Sequence, residues 1–157
     1  MDALKRLVAI EEIKVLKARY FRCMDTKDWD GLATVFTPDA VFDLSEVNSV
    51  RHPITGEWQP PFDLSAVHTG KADVLNMIRT AVQSLLTVHH GHMSEIEIES
   101  DNRARGVWAM EDVIRNAPGQ PEFRMQGYGH YHEVYERLAT GWAIKRTKIT
   151  RLYFSFA

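Results

Sequence analysis

The stretch TVHHGHMSEIEIE, residues 87–99, is rich in β-forming residues and opens a half of the chain that consists almost entirely of such runs. Three similar runs follow it, at 104–116, 123–137 and 142–156. They are separated by the turn-forming triplets Ser-Asp-Asn at 100–102, Ala-Pro-Gly at 117–119 and Ala-Thr-Gly at 139–141. Consecutive hairpins of this kind predict an antiparallel meander. Because strands of this length must twist and coil, we expect the sheet to be strongly curved.

The residues at the amino terminus predict two helices. From Leu4 to Met24, apolar residues recur every three or four positions, with charged residues such as Lys14 and Lys17 between them. This spacing is typical of one long amphipathic helix. Asp28 is a suitable N-cap for a shorter second helix that ends before Pro38, because its carboxylate can accept the free backbone N–H groups of the first turn.

The middle of the chain predicts a strand, a loop and a third helix. The stretch Asp39–Leu44 alternates and is rich in β-formers, so we expect a first strand there. Prolines and a glycine interrupt Ser45–Val67 and deny it regular strand pairing, so it is predicted to be a long loop, of the kind that often forms a lid over a site. After Gly70, apolar residues from Val74 to Leu85 are spaced to make one face of a helix.

The whole chain, residues 1–157, is expected to form one α+β domain. Its 157 residues with 45% hydrophobic content suffice for one core and are too few for two domains of ordinary size. Helices on the concave side of a coiled sheet enclose space. We therefore predict a cone-shaped barrel, in which a strongly curved antiparallel sheet wraps around the N-terminal helices and leaves one pocket.

Composition and charge favour a small-molecule partner. A formal net charge of -2 gives no reason to expect binding to nucleic acid or to an anionic membrane, and a small, neutral partner fits better. Cys23 is the single cysteine, which excludes an intramolecular disulfide and suits a reducing compartment. The segment Met1–Ile10 carries charges and lacks a long apolar core, so we predict neither a signal peptide nor a membrane span there and expect a cytoplasmic protein.

Several polar side chains fall where the pattern favours apolar ones. Tyr20 lies on the inward face of the first helix, and Asp25 follows near its carboxyl end, where the helix dipole disfavours a carboxylate unless a cation or a donor compensates it. In the run at 104–116, Asp112 shares its side of the strand with Trp108 and Met110. It is therefore expected to face inward and to need partners.

An arginine in the last run is the candidate partner. Arg151 is predicted to lie on the same side of its strand as Ile149 and Tyr153. A guanidinium there would hold Asp112 or receive a substrate oxyanion. Taken singly, Tyr20 is also consistent with a core tyrosine.

Histidines occur in two of the predicted strands. Because side chains alternate along a strand, His89 and His92 are expected on opposite sides. Tyr128 and His130 share a face with His132, and they form either a second polar lining of the pocket or exposed cross-strand partners. No metal is predicted, since no spacing such as H-E-x-x-H or C-x-x-C is present.

The order of helix, helix, strand, helix and four long strands resembles the nuclear transport factor 2-like (SnoaL-like) superfamily over nearly the whole chain. The segments YFRCMD at 20–25, HHGH at 89–92 and WAMED at 108–112 are similar to bile acid 7α-dehydratase, and more loosely to scytalone dehydratase and hexachlorocyclohexane dehydrochlorinase. The chain differs in its longer, proline-rich 45–67 loop and in having His130 and His132.

The resemblance implies a cofactor-independent lyase, without metal or organic cofactor, that acts on a hydrophobic cyclic, steroid-like or aromatic small molecule. It implies His89 as the base and Asp25 as its supporting carboxylate. The remaining implied site residues are Tyr20, Asp112 and Arg151 at the reaction centre. Independently of the resemblance, we expect Trp108, Met110, Tyr128 and His130 to line the substrate. Alternatives are a double-bond isomerase of the ketosteroid type and a non-catalytic binding or assembly module, such as the small subunit of a ring-hydroxylating dioxygenase.

The resemblance also bears on assembly. Trp142, Ile144 and Phe154 are expected on sheet faces outside the cavity, where protomers could pack against one another. The related dehydratases imply a homotrimer, with a dimer as the alternative.

Overall fold

The computed structural model describes residues 2–48, 50–59 and 66–156. The helices are α1 (Ala3–Asp25), α2 (Trp29–Ala33) and α3 (Lys71–Val82). The strands are β1 (Phe36–Asp43), β2 (Val50–Arg51), β3 (Trp58–Gln59), β4 (Val67–Thr69), β5 (Leu85–Ile98), β6 (Arg103–Asn116), β7 (Arg124–Leu138) and β8 (Gly141–Phe156). The predicted helices, the first strand and the four long strands are confirmed. As predicted, Asp28 caps α2, and its Oδ1 accepts the Gly31 N–H at 2.8 Å.

The sheet is curved and follows the order β3-β2-β8-β7-β6-β5, so β5 to β8 form the predicted antiparallel meander. Strand β1 branches from it, since it pairs in parallel with β8 and antiparallel with β4. The described strands leave the sheet unclosed between β3 and β5. The α+β class is confirmed, and the free edge of β5 is the edge against which α1 packs.

The prediction of a loop at 45–67 is wrong in part. β2 lies before Pro53 and β3 after it, and the two pair through Val50 with Gln59; Val50 also pairs with Arg151 of β8. Segments of two or three residues are short enough to fit between the proline positions. The part of the predicted loop at 60–65 lies outside the described residues.

The core lies between α1 and the concave face of the sheet. Trp142 and Ile144 belong to this core and are buried, so the expectation that they lie on an outer face is wrong. The reason is a bulge: Val134 pairs with Arg146 but Tyr135 pairs with Ile144, which leaves Lys145 unmatched and shifts the alternation of β8 by one residue. Phe154 is half-buried opposite Gly127.

Candidate active site

The carboxylate of Asp25 meets His89 where α1 ends against the free edge of β5. Oδ1 of Asp25 lies 2.6 Å from Nδ1 of His89, and Oδ2 accepts the backbone N–H of His89 at 2.8 Å. The hydroxyl of Thr87 donates to Oδ1 at 2.8 Å. These donors compensate a carboxylate at the unfavourable end of a helix. Partial burial alone would raise the pKa of Asp25, but the hydrogen bonds from His89 and Thr87 outweigh it and lower that pKa below its usual value.

The imidazole of His89 is buried on the concave face. Its ring lies nearly parallel to that of Phe21, with 6.4 Å between the centroids. His89 pairs directly with Asp112 across β5 and β6, so their side chains are neighbours on one face. Among the residues that the structure describes, Nδ1 is held by Asp25 and Nε2 has no hydrogen-bond partner. That second nitrogen is therefore available to exchange a proton.

Asp112 and Arg151 form a bidentate ion pair on the same face. Nη1 and Nη2 of Arg151 donate to the two carboxylate oxygens at 3.0 and 2.7 Å, and Nε donates to the carbonyl of Val47 at 3.2 Å. The side chains are 3% and 6% accessible to solvent. A Cβ at Gly127 would lie 2.4 Å from Oδ1 of Asp112 and 2.5 Å from Nη1 of Arg151, so a larger residue at this position would displace the ion pair.

Tyr20 lies in the core below these pairs. Its ring contacts those of Phe36 and Tyr131 edge-on. Burial, followed by the negative charge of Glu133, raises the pKa of Tyr20 well above its usual value. Tyr20 therefore keeps its proton at neutral pH and is a hydrogen-bond donor.

A buried polar network behind Tyr20 was missed by the sequence reasoning. Lys17, expected on the polar face of α1, is fully buried, and its ammonium donates to Glu133 at 2.6 Å. The ammonium also lies 3.6 Å from the ring centroid of Tyr131. Burial lowers the pKa of Lys17, and the charge of Glu133 opposes that shift. The signal was available, because Lys17 is four residues after Ile13 and three before Tyr20, on the same helix face.

The predicted substrate-lining residues divide between the two faces of the sheet. Trp108 and Met110 lie on the concave face; Trp108 donates to the hydroxyl of Tyr135 at 2.7 Å, and Met110 accepts from Arg151. Tyr128 and His130 lie on the opposite, convex face, because their buried neighbours on β7 occupy the concave one. Their interpretation as pocket lining is therefore wrong, and the alternative, exposed cross-strand partners, matches their placement.

Tyr128 and His130 both have aromatic neighbours on the convex face. Tyr128 stacks against Tyr153 with 6.3 Å between the ring centroids, and His130 faces His132 at 6.1 Å. Tyr153, expected on the same side as Arg151, lies across from Tyr128 instead. Gly129 pairs with Arg151 and Tyr128 with Tyr153, so the intervening Leu152 is a bulge that shifts the alternation.

The described part of the chain shows neither a metal-binding cluster nor a membrane-spanning helix. It contains no group of three or more His, Cys, Asp or Glu side chains arranged to hold a metal ion. None of its helices combines the length and the apolar content required to span a bilayer.

The sequence and the fold match a known class of domain. The model of the SnoaL-like domain family matches residues 5–148, and the chain belongs to that family. The Probable cyclase FGR4 of Gibberella zeae is 22% identical over 138 residues, which cover 88% of this chain and 87% of the relative.

Solved structures share the fold at lower sequence identity. The type 3 hexachlorocyclohexane dehydrochlorinase of Novosphingobium barchaimii LL02 has a TM-score of 0.77 at 16% identity, covering 99% of this chain and 94% of its own. A candidate scytalone dehydratase of Novosphingobium aromaticivorans has a TM-score of 0.78 at 17% identity, covering 98% and 91%.

Proposed function

We propose that this protein is a cofactor-independent lyase that eliminates water or a similar leaving group from a hydrophobic cyclic small molecule, with His89 as the base. The observation that carries the proposal is the 2.6 Å contact between Asp25 and Nδ1 of His89, with Nε2 left without a partner among the described residues. A carboxylate on one ring nitrogen fixes the tautomer, so that Nε2 can accept a proton from carbon. The same carboxylate stabilises the imidazolium that forms.

The groups around His89 suit the charge that such a reaction develops. A proton next to a carbonyl or an enone is acidic only when the resulting enolate is stabilised by donors in a site that excludes water. Tyr20, which keeps its proton, and the Asp112–Arg151 pair are the candidate groups for that stabilisation. Loss of hydroxide requires a proton donor, and Tyr20 or the imidazolium of His89 supplies it.

The names of similar proteins support a reaction of this class. One structural neighbour is named for loss of hydrogen chloride, another for dehydration, and the curated relative for ring closure. A double-bond isomerase needs the same base and the same enolate stabilisation, but it returns the proton to another carbon of the substrate. Retention of the leaving group in the product would distinguish isomerisation from elimination.

The test is turnover of hydroxylated cyclic enones, followed by absorbance and by mass spectrometry for the loss of water. We expect activity in the wild type and none in the Asp25→Asn/His89→Ala double variant. His92→Ala is the control, because His92 is exposed on the same strand. Full activity of the double variant would rule the proposal out, as would turnover that depends equally on His92.

A further inference from the structure

Two arginines in the long strands differ from the other cations of that sheet. Among the described residues, most cationic side chains of β6, β7 and β8 lie within ion-pair distance of a carboxylate. These are Arg103, Arg105, Arg137, Lys145, Arg146, Lys148 and Arg151. Arg115 and Arg124 have no carboxylate partner in the part of the chain that the structure describes.

The two unpaired arginines are also placed against each other. Arg115 of β6 and Arg124 of β7 are directly opposite cross-strand neighbours, and both are exposed. Like charges directly opposite in a sheet are destabilising. A bound anion would remove that repulsion, and two guanidinium groups together present the donor pattern that carboxylate, sulfate and phosphate oxygens accept.

Both arginines line a cleft of about 680 Å³ that also reaches Asp25 and Lys27. The ammonium of Lys27 donates to the hydroxyl of Thr87 at 2.9 Å, so its charge has no carboxylate bonded to it there. Asp25 is the single acidic residue among those that line the cleft in the described structure, and its oxygens are occupied by His89 and Thr87. The cleft is therefore locally cationic although the chain has a net charge of -2.

The cleft also has an apolar part and an unusual backbone. Leu86, Val88 and Val113 line it, and the first two are 42% and 47% exposed. Lys27 has a φ of 61°, in the left-handed region that residues other than glycine adopt at a cost. In this conformation, Lys27 lines the cleft.

We propose that this cleft binds the anionic group, a carboxylate, sulfate or phosphate, of an otherwise hydrophobic small molecule. The anion lies between Arg115, Arg124 and Lys27, and the apolar body rests on the valines and the leucine beside it. Leu86 and Val88 alternate with the buried Thr87 and His89, so the cleft lies mainly on the convex face of the sheet, whereas the ring of His89 lies on the concave face. The site is therefore separate from the proposed active site.

The experiment compares two fluorescent probes that differ by one anionic group. They are 8-anilinonaphthalene-1-sulfonate and the neutral N-phenyl-1-naphthylamine, titrated into the wild type, Arg115→Gln/Arg124→Gln and Arg103→Gln/Arg105→Gln. The last variant is the matched control, because it removes the same charge from arginines that are paired with Glu99 and Glu97. We expect Arg115→Gln/Arg124→Gln to raise the Kd of the sulfonate probe about tenfold or more. The Kd of the neutral probe should change by less than about twofold.

Equal weakening of both probes, or an equal loss of sulfonate binding in the control variant, would overturn the proposal. In NMR spectra, titration of the sulfonate probe should change the amide chemical shifts of Leu86 and Val88, which would place the probe in this cleft. Chemical-shift changes confined to other parts of the sheet would contradict this placement. Inorganic phosphate is expected to compete only at millimolar concentration. Competition at micromolar concentration would assign the cleft to a free inorganic anion and overturn the proposal of a ligand with an apolar body.

The binding assay needs no turnover, so the two proposals can fail separately. If His89→Ala retains full activity while Arg115→Gln/Arg124→Gln selectively loses the sulfonate, the anion cleft stands and the proposed lyase mechanism falls. If His89→Ala abolishes turnover while Arg115→Gln/Arg124→Gln binds both probes as the wild type does, the mechanism stands and the anion cleft falls.

Discussion

The Asp25–His89 pair and the Lys17–Glu133 pair have the same contact distance, 2.6 Å, in very different surroundings. The side chain of Asp25 remains 21% accessible at the free edge of β5, whereas Lys17 and Glu133 are both fully buried. Glu133 also accepts from the hydroxyls of Tyr135 and Thr147, so its charge is enclosed by donors. A pair at an accessible edge can exchange protons with a ligand, whereas breaking an enclosed pair leaves an unpaired buried charge and destabilises the fold.

The largest expected effect is a loss of turnover when the Asp25–His89 pair is broken. His89→Ala should reduce turnover by roughly two to four orders of magnitude, because it removes the group that accepts the proton. Its urea unfolding midpoint should fall only modestly, since the carboxylate of Asp25 keeps the hydroxyl of Thr87 and the backbone N–H of residue 89 as donors. A fall in stability large enough to explain the loss of turnover would contradict this account.

Lys17→Met should show the opposite pattern, with the main loss in stability. Removing one partner of a buried ion pair leaves an uncompensated charge and costs about 3–5 kcal/mol. Urea denaturation measures this loss. Lys14→Met is the control, because Lys14 forms an exposed pair with Glu11 on the same helix and its loss should change stability by no more than about 0.5 kcal/mol. Similar losses in the two variants would show that the enclosure of Lys17 does not matter.

Gly127→Ala tests the third pair, Asp112–Arg151. The added methyl group would lie within 2.5 Å of both side chains, so we expect a cost of about 1–3 kcal/mol and a displaced ion pair. Gly106→Ala is the comparison, because its nearest contact would be 3.2 Å, to the ring of Tyr135. A crystal structure of Gly127→Ala with the bidentate pair undisturbed would refute the steric account.

The smallest effect concerns pH. The pKa of Asp25 is lowered in the folded state, so its contribution to stability is present above the unfolded pKa of about 3.9 and is lost as the pH falls through the lower folded value. The stability difference between the wild type and Asp25→Asn should therefore shrink as the pH falls below about 4. Urea midpoints measured across that range test it, and a difference that grows on acidification would reverse the assigned sign.

Regular features of the fold followed from local rules. The two-residue period and the turn triplets predicted β5 to β8, and Asp28 predicted the start of α2. The alternation of side chains along a strand also predicted the side of β6 on which Asp112 lies. Asp112 is on the concave face, with Trp108 and Met110. These inferences succeeded because each depends on residues that are close together in the chain.

The sequence by itself determined the α+β class, the meander and the helix against it, since side-chain periodicity and turn chemistry are local properties of the chain. The tertiary structure alone decided that Lys17 is buried against Glu133 and that bulges at Lys145 and Leu152 reverse which residues of β8 face the core. It also decided that Tyr128 and His130 face away from His89 and that Arg115 meets Arg124. These outcomes depend on register between distant segments, and a shift of one residue in register moves a side chain to the other face of the sheet.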